Sequence, residues 1–240
     1  MKRRVIKTAA ERKTELAECA LALFLSKGYE ATTVVDVLAR TRLSKGAFYH
    51  HFRSKEDLLE AAMARLVSLG IAAMRDIVDN EELDEITRLK RLLIRMTEWQ
   101  HEMNVDAINV DMLKPENAPL ALRISSAMDK VMVPFFTGII ERGARKGEFD
   151  VPDPEVAAEV LLFVGTARRS VAAEAIKMAA HGQIEEATKL AEQHFVAREI
   201  MMERALGVPR GSIELATAAA LRTQLAAYGE AARKAKSRKK

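Results

Sequence analysis

Apolar positions recur along the chain at helical spacing. Leu16, Cys19, Ala20, Leu23 and Phe24 fall three or four residues apart, as on one buried face of a helix. Just upstream, Thr8-Ala9-Ala10-Glu11 has the form of a capping box, in which hydroxyl and carboxylate satisfy two orphan backbone N–H groups, and Gly28 ends the stripe. Three further short elements are predicted: one from Thr33 to about Thr41, one from Ser44 to about His51, and one opened by Ser54 that buries Leu58, Leu59, Ala62, Met63, Leu66 and Val67. Beyond residue 80 the pattern predicts longer helices over 82–104, 117–130, 132–147, 154–181, 184–207 and 212–233. Breaks fall at Lys114-Pro115-Glu116-Asn117, from Gly147 to Pro154, at His181-Gly182 and from Gly207 to Gly211. Strand-like alternation and Asn-Gly or Asp-Gly hairpin turns are absent, so the predicted fold class is all-α.

Composition narrows the possibilities. Of 240 residues, 49% are apolar and 30% charged, enough for a sizeable core. The single cysteine, Cys19, excludes an internal disulfide framework and a multi-cysteine zinc site. No apolar run reaches the ~18–20 residues that a membrane span requires. The apolar stretch at 19–25 follows a charged segment and lacks a cleavage-site pattern. A soluble, cytoplasmic protein with no membrane partner is expected. The net charge of +4 is unevenly spread: residues 1–13 carry +5, 14–65 balance, 66–232 carry −7 and 233–240 carry +6. Cations therefore gather at the ends of an otherwise acidic chain.

Residues 33–51 read TVVDVLARTRLSKGAFYHH, two short helices joined by a turn of about three residues. That is the helix-turn-helix plan, whose second helix enters the DNA major groove. Val34, Val37, Leu38, Leu43, Phe48 and Phe52 would pack the pair on the first helix. Ser44, Lys45, Ala47, Tyr49 and His50 would then face outward, a surface without an acid. Gly46 would let the backbone approach another surface closely. Lys55 would add a cation at the start of the fourth helix, in a set suited to holding a phosphate backbone. The His50-His51 pair points in two directions and lacks completing ligands, and Glu98-Trp99-Gln100-His101 matches only half of a di-iron motif. Gly-rich phosphate loops, nucleophile elbows and acid–base pairs are also missing. No metal, cofactor or catalytic residue is expected, and an enzyme reading has no support.

Several spaced motifs resemble the N-terminal domain of the TetR/AcrR family of bacterial transcriptional regulators. They are Phe24-x-x-x-Gly28-Tyr29, Thr32-Thr33, Ser44-Lys45-Gly46-x-Phe48-Tyr49-x-x-Phe52 and Ser54-Lys55-Glu56-x-Leu58. Pro134, Gly143-x-x-x-Gly147-Glu148-Phe149 and Pro152-Asp153-Pro154 also resemble the family's ligand domain. The resemblance implies an N-terminal three-helix helix-turn-helix domain over 1–65 with a basic arm. An effector-binding and dimerisation bundle would follow over 66–233, and a disordered basic tail over 234–240. It implies phosphate contacts from Thr33, Tyr49, His50 and Lys55, and contacts at the groove floor from Lys45, Gly46 and Ala47, beside Ser44. The chain departs from the pattern at Thr41-Arg42, where the family places a small residue and then glycine. Arg42 in a left-handed turn would carry strain and could gain a phosphate in return.

By the same resemblance, residues 82–180 would form the effector body. Met96, Trp99, Met103, Met132, Phe136 and Phe163, with Met112, Met128 and Phe135, supply adaptable apolar surface, and His101, Asn104, Asn109 and Arg168 supply polar groups. The same apolar side chains would equally fill a bundle core. The helices at 154–181 and 184–207 would pair with those of a second copy as a homodimer. The expected partners are thus a pseudo-palindromic double-stranded DNA operator, released by an apolar or amphipathic small-molecule effector, and a twin subunit.

Overall fold

The computed structural model describes residues 8–237, apart from 104, 106, 107, 109–111, 113, 114, 167 and 168, and contains no strand among them. Helices α1 (Ala9–Lys27), α2 (Val34–Thr41), α3 (Lys45–His51) and α4 (Lys55–Ala73) form where the caps predict them. Thr8 and Glu11 close a reciprocal box at 2.6 and 3.2 Å, and Thr33 and Asp36 close a second at 2.8 and 3.2 Å. The Ser44 and Ser54 hydroxyls each accept one backbone N–H at 3.2 Å. Further along lie α5 (Arg75–Val78), α6 (Glu85–Glu102), a 3-10 turn at Pro115–Asn117, α7 (Ala118–Lys146), α8 (Pro154–Thr166), α9 (Arg169–Ala180), α10 (Ile184–Leu206) and α11 (Ala218–Ser237).

Two boundaries differ from expectation. The predicted helices at 117–130 and 132–147 are one helix, α7, which runs through Pro134. Proline removes an N–H and crowds the preceding turn, at about 3 kcal/mol. Met132, Phe136, Ile139 and Ile140 on either side of it are buried. The predicted helix at 154–181 is described as α8 and α9, on either side of residues 167 and 168. α11 begins at 218 rather than 212, because α10 takes the intervening N–H groups. The Glu203 carboxylate accepts from Gly211 and Ile213 at 2.8 and 2.9 Å, and Glu199 accepts from Leu215 at 2.7 Å. The helix then continues to Ser237, into the segment predicted to be a disordered tail.

The chain divides into two compact units, Met1–Arg75 with Thr97–Met132, and Asp76–Met96 with Val133–Lys240. This differs from the predicted boundary between 65 and 66. α4 is one unbroken helix to Ala73, and the Trp99 ring packs so tightly on Gly70 that a Cβ there would lie 2.9 Å from it. The first unit is cored by Leu16, Ala20, Phe24, Phe48, Leu58 and Leu59, which Ile108, Leu120 and Ile124 join.

In the second unit, Phe149 packs directly on the Gly143 backbone, where a Cβ would overlap its ring. α11 lays Leu221 and Leu225 against Ala175, Ala179, Ala187 and Ala191. A buried charge cluster centres on Glu85, 1% exposed, which accepts from Arg88 at 2.9 Å and Lys146 at 3.0 Å, with Arg142 at 3.4 Å. The Arg88 guanidinium also donates to the carbonyls of Ile77, Val78 and Asn80 at 2.6–2.7 Å, which ties the 77–83 segment to α6. Burial alone would raise the Glu85 pKa, but Lys146, Arg142 and Arg88 together hold it below the usual glutamate value. Its contribution to stability is therefore complete above the ordinary glutamate range and is lost as pH falls through the depressed folded-state value. Glu85→Gln should lower stability at neutral pH by about 3 kcal/mol and flatten the acid limb of the curve, as read by urea unfolding between neutral and acid pH.

Candidate nucleic-acid interface

α3 has only seven residues and would not persist alone. It is held by Phe48, 0% exposed, and by Phe52 one turn on, with their ring centroids 5.9 Å apart. Val37 of α2 is buried in the same core. With Phe48 turned inward, helical geometry sends Ser44, Lys45, Gly46, Tyr49 and His50 outward, and all five are exposed. Ala47 and His51 sit at the half-buried margin. Between Val37 and Lys55 the chain has no carboxylate.

Each outward group is prepared differently. Ser44 accepts the Ala47 N–H, so its hydroxyl proton remains available to an external acceptor. The Tyr49 ring stands edge-on to Phe48 at 5.2 Å, and its hydroxyl forms no hydrogen bond with the described residues. The Lys45 ammonium lies 5.9 Å from the Tyr49 ring centroid. His50 and His51 stack edge-to-face at 5.0 Å. Desolvation, then the charges of His50, Lys13 and Arg12, push the His51 pKa down and favour its neutral form. A Cβ on Gly46 would meet nothing within 4 Å. Glycine costs a helix about 1 kcal/mol relative to alanine, so nothing inside the protein calls for it there.

Thr33 and Lys55 are more committed than the sequence implies. The Thr33 hydroxyl donates to Asp36 at 2.9 Å and accepts the Asp36 N–H, so its proton is taken within the cap. Thr33 and Lys27 hold the Asp36 carboxyl down to about 2, the Thr33 backbone N–H contributing most. The half-buried Lys55 ammonium lies 4.1 Å over the Tyr29 ring and donates to the Glu30 carbonyl at 3.4 Å. Burial pushes its pKa down, against the opposing charges of Glu30 and Glu56. Any phosphate contact from Lys55 starts from this tethered position.

A brace behind the interface has no counterpart in the sequence reading. Arg123 of α7 reaches Asp57 and Glu60 at the start of α4, both at 2.6 Å. No local pattern signals a pair more than sixty residues apart. Beside it opens a cleft of about 380 Å³, lined by residues that include Tyr29, Lys55, Glu56, Leu120 and Arg123. None of the expected effector residues lines it.

The expected effector residues that are described are divided between the two units. Trp99, Met103 and Met132 belong to the first unit, where Trp99 and Met103 pack on its core. Met96, half-buried, and Phe136, fully buried, belong to the second. Phe163, on α8, is 74% exposed. The His101 side chain, Asn104, Asn109 and Arg168 lie outside the described residues.

A short helix anchored by a buried aromatic, joined across a tight turn to its neighbour and showing a cationic, acid-free face, defines a helix-turn-helix domain. Residues 16–62 match the family model for bacterial regulatory proteins of the tetR family. It is 36% identical over 70 residues to the uncharacterized HTH-type transcriptional regulator YerO of Bacillus subtilis, covering 29% of this chain and 24% of that protein. It is 38% identical over 77 residues to the HTH-type transcriptional repressor KstR2 of Mycobacterium tuberculosis, covering 32% and 38%. These matches span well under two thirds of either relative. KstR2 of Rhodococcus jostii matches at 29% over 139 residues, 58% of this chain and 68% of its own.

The fold itself recurs in solved structures. RolR in complex with resorcinol superposes with a TM-score of 0.58 at 18% identity, covering 91% of this chain and 94% of its own. A TetR transcription regulator of Haloarcula marismortui gives 0.52 at 19%, covering 82% and 97%.

Proposed function

We propose that the protein is a homodimeric repressor that holds a pseudo-palindromic operator through α3 of each subunit and lets it go when a small apolar or amphipathic molecule binds. The single observation that carries the reading is the outward face of α3: Ser44, Lys45, Gly46, Tyr49 and His50 are exposed together while Phe48 anchors the helix from behind. Lys45 would donate to base edges or phosphates, Ala47 would touch a thymine methyl, and Ser44, Tyr49 and His50 would fix phosphates. Gly46 would admit the close approach. Thr33 would contribute through the backbone N–H groups that its cap orients, and Lys55 through its charge.

The dimer reading rests on α8 and α10. Val156, Val160 and Phe163, spaced four and three residues apart on α8, are 52%, 40% and 74% exposed. Such an apolar stripe on a helix face marks a surface to be covered. α10, which packs against α8, adds the exposed Val196 and Met201. A two-fold pair of α3 helices would read half-sites about 34–36 Å apart or a multiple of this. RolR, of the same fold, was solved with resorcinol, and this is consistent with release by a small molecule. If the effector prefers another spacing of the two helices, DNA and effector must weaken each other by the same factor.

Two experiments test this function. Against duplex fragments from upstream of its own coding sequence, Lys45→Ala should bind about tenfold more weakly at unchanged stability. Gly46→Ala should raise the unfolding temperature and still weaken binding. Undiminished binding in both would remove α3 from the interface. Phe163→Glu should shift the protein from dimer to monomer in sedimentation equilibrium; a dimer of unaltered affinity would place the subunit contact elsewhere.

A further inference from the structure

We infer that Arg42, in the turn between α2 and α3, is a phosphate-binding group kept there at the expense of the fold. The inference rests on the helix-turn-helix reading and assigns a role to a residue that departs from the family's glycine. Arg42 has φ 55° and ψ 35° and is the one non-glycine residue at positive φ among those described. Left-handed backbone brings Cβ against the carbonyl, a strain that glycine avoids. The cap itself needs only the backbone: the Arg42 N–H donates to the Leu38 carbonyl, and any residue able to take this φ would supply it. The side chain is exposed, and its guanidinium makes no ion pair or hydrogen bond with the described residues. Internal structure therefore accounts for the conformation and not for the arginine.

The surroundings supply the reason. Arg40 lies two residues before and Lys45 three residues after, both exposed. The nearest preceding acid, Asp36, is already paired with Lys27 at 3.0 Å. Three like charges thus follow one another through one turn with no ion pair among the described residues, an arrangement that a polyanion relieves. The planar guanidinium fork matches a phosphate diester, and its position two residues before Ser44 places it at the entrance of α3. Strain of this kind persists where function depends on the residue that carries it.

The test uses the full chain and a labelled duplex of mixed sequence, with affinity followed across a salt series and unfolding followed by heat. Arg42→Gly should unfold at the parent temperature or above it. It should bind roughly tenfold more weakly, with a salt slope shallower by about two for a dimer. Arg42→Lys should keep most of that slope. An unchanged slope in Arg42→Gly, while Lys45→Ala binds more weakly, overturns the inference and leaves the recognition helix in place. Unchanged binding in Lys45→Ala as well overturns the helix-turn-helix reading beneath it. A lower unfolding temperature in Arg42→Gly would give the side chain a structural role and also overturn the inference.

Discussion

The burial of one phenylalanine sets the geometry on which the proposed function depends. α3 is too short to hold itself together, and its seven residues include a glycine. Phe48, wholly enclosed among α1, α2 and α4 residues, supplies what helix propensity does not. Once that ring is fixed, the 100° step of the helix leaves no choice about where Lys45, Tyr49 and His50 point. Phe52 repeats the constraint one turn later and blocks rotation of α3 about its axis. The outward face is thus a consequence of the core, and the same ring braces Tyr49 edge-on.

The outward face of α3 and its support obey opposite rules. Behind α3, every device favours stability: reciprocal caps, a closely packed aromatic cluster, and the Arg123 brace on Asp57 and Glu60. In front, the residues work against it. Gly46 weakens a helix it does not need to bend, and cations accumulate without acids. Local rules broken in one place and satisfied everywhere around it are the expected signature of a surface shaped by something outside the chain.

Much of this was legible in the sequence because it is local. Thr8, Thr33, Ser44 and Ser54 act on N–H groups three residues ahead, so four helix starts could be placed from short patterns, and the apolar stripes identified the buried faces. Long-range order was not legible. Glu85 and Arg88 look like ordinary solvated charges of an amphipathic helix, yet both are buried and tie α6 to the 77–83 segment and to α7. Pro134 reads as a break, but the helix runs through it. The start of α11 depends on Glu199 and Glu203 of α10, which hold N–H groups of the loop that precedes it. Trp99 and Phe163 share the composition of a ligand pocket; one packs on Gly70 and the other faces outward. Aromatic character predicts burial or contact and leaves the partner unstated.

The most direct measurement is hydrogen exchange of the full-length protein, read by mass spectrometry with and without DNA from upstream of its own coding sequence. DNA should slow exchange in the segments spanning 33–36 and 42–51, while the peptides of α8 and α10 should remain as they were. Slowed exchange confined to segments outside α2 and α3, with the recognition helix unaffected, would contradict the proposed role of α3.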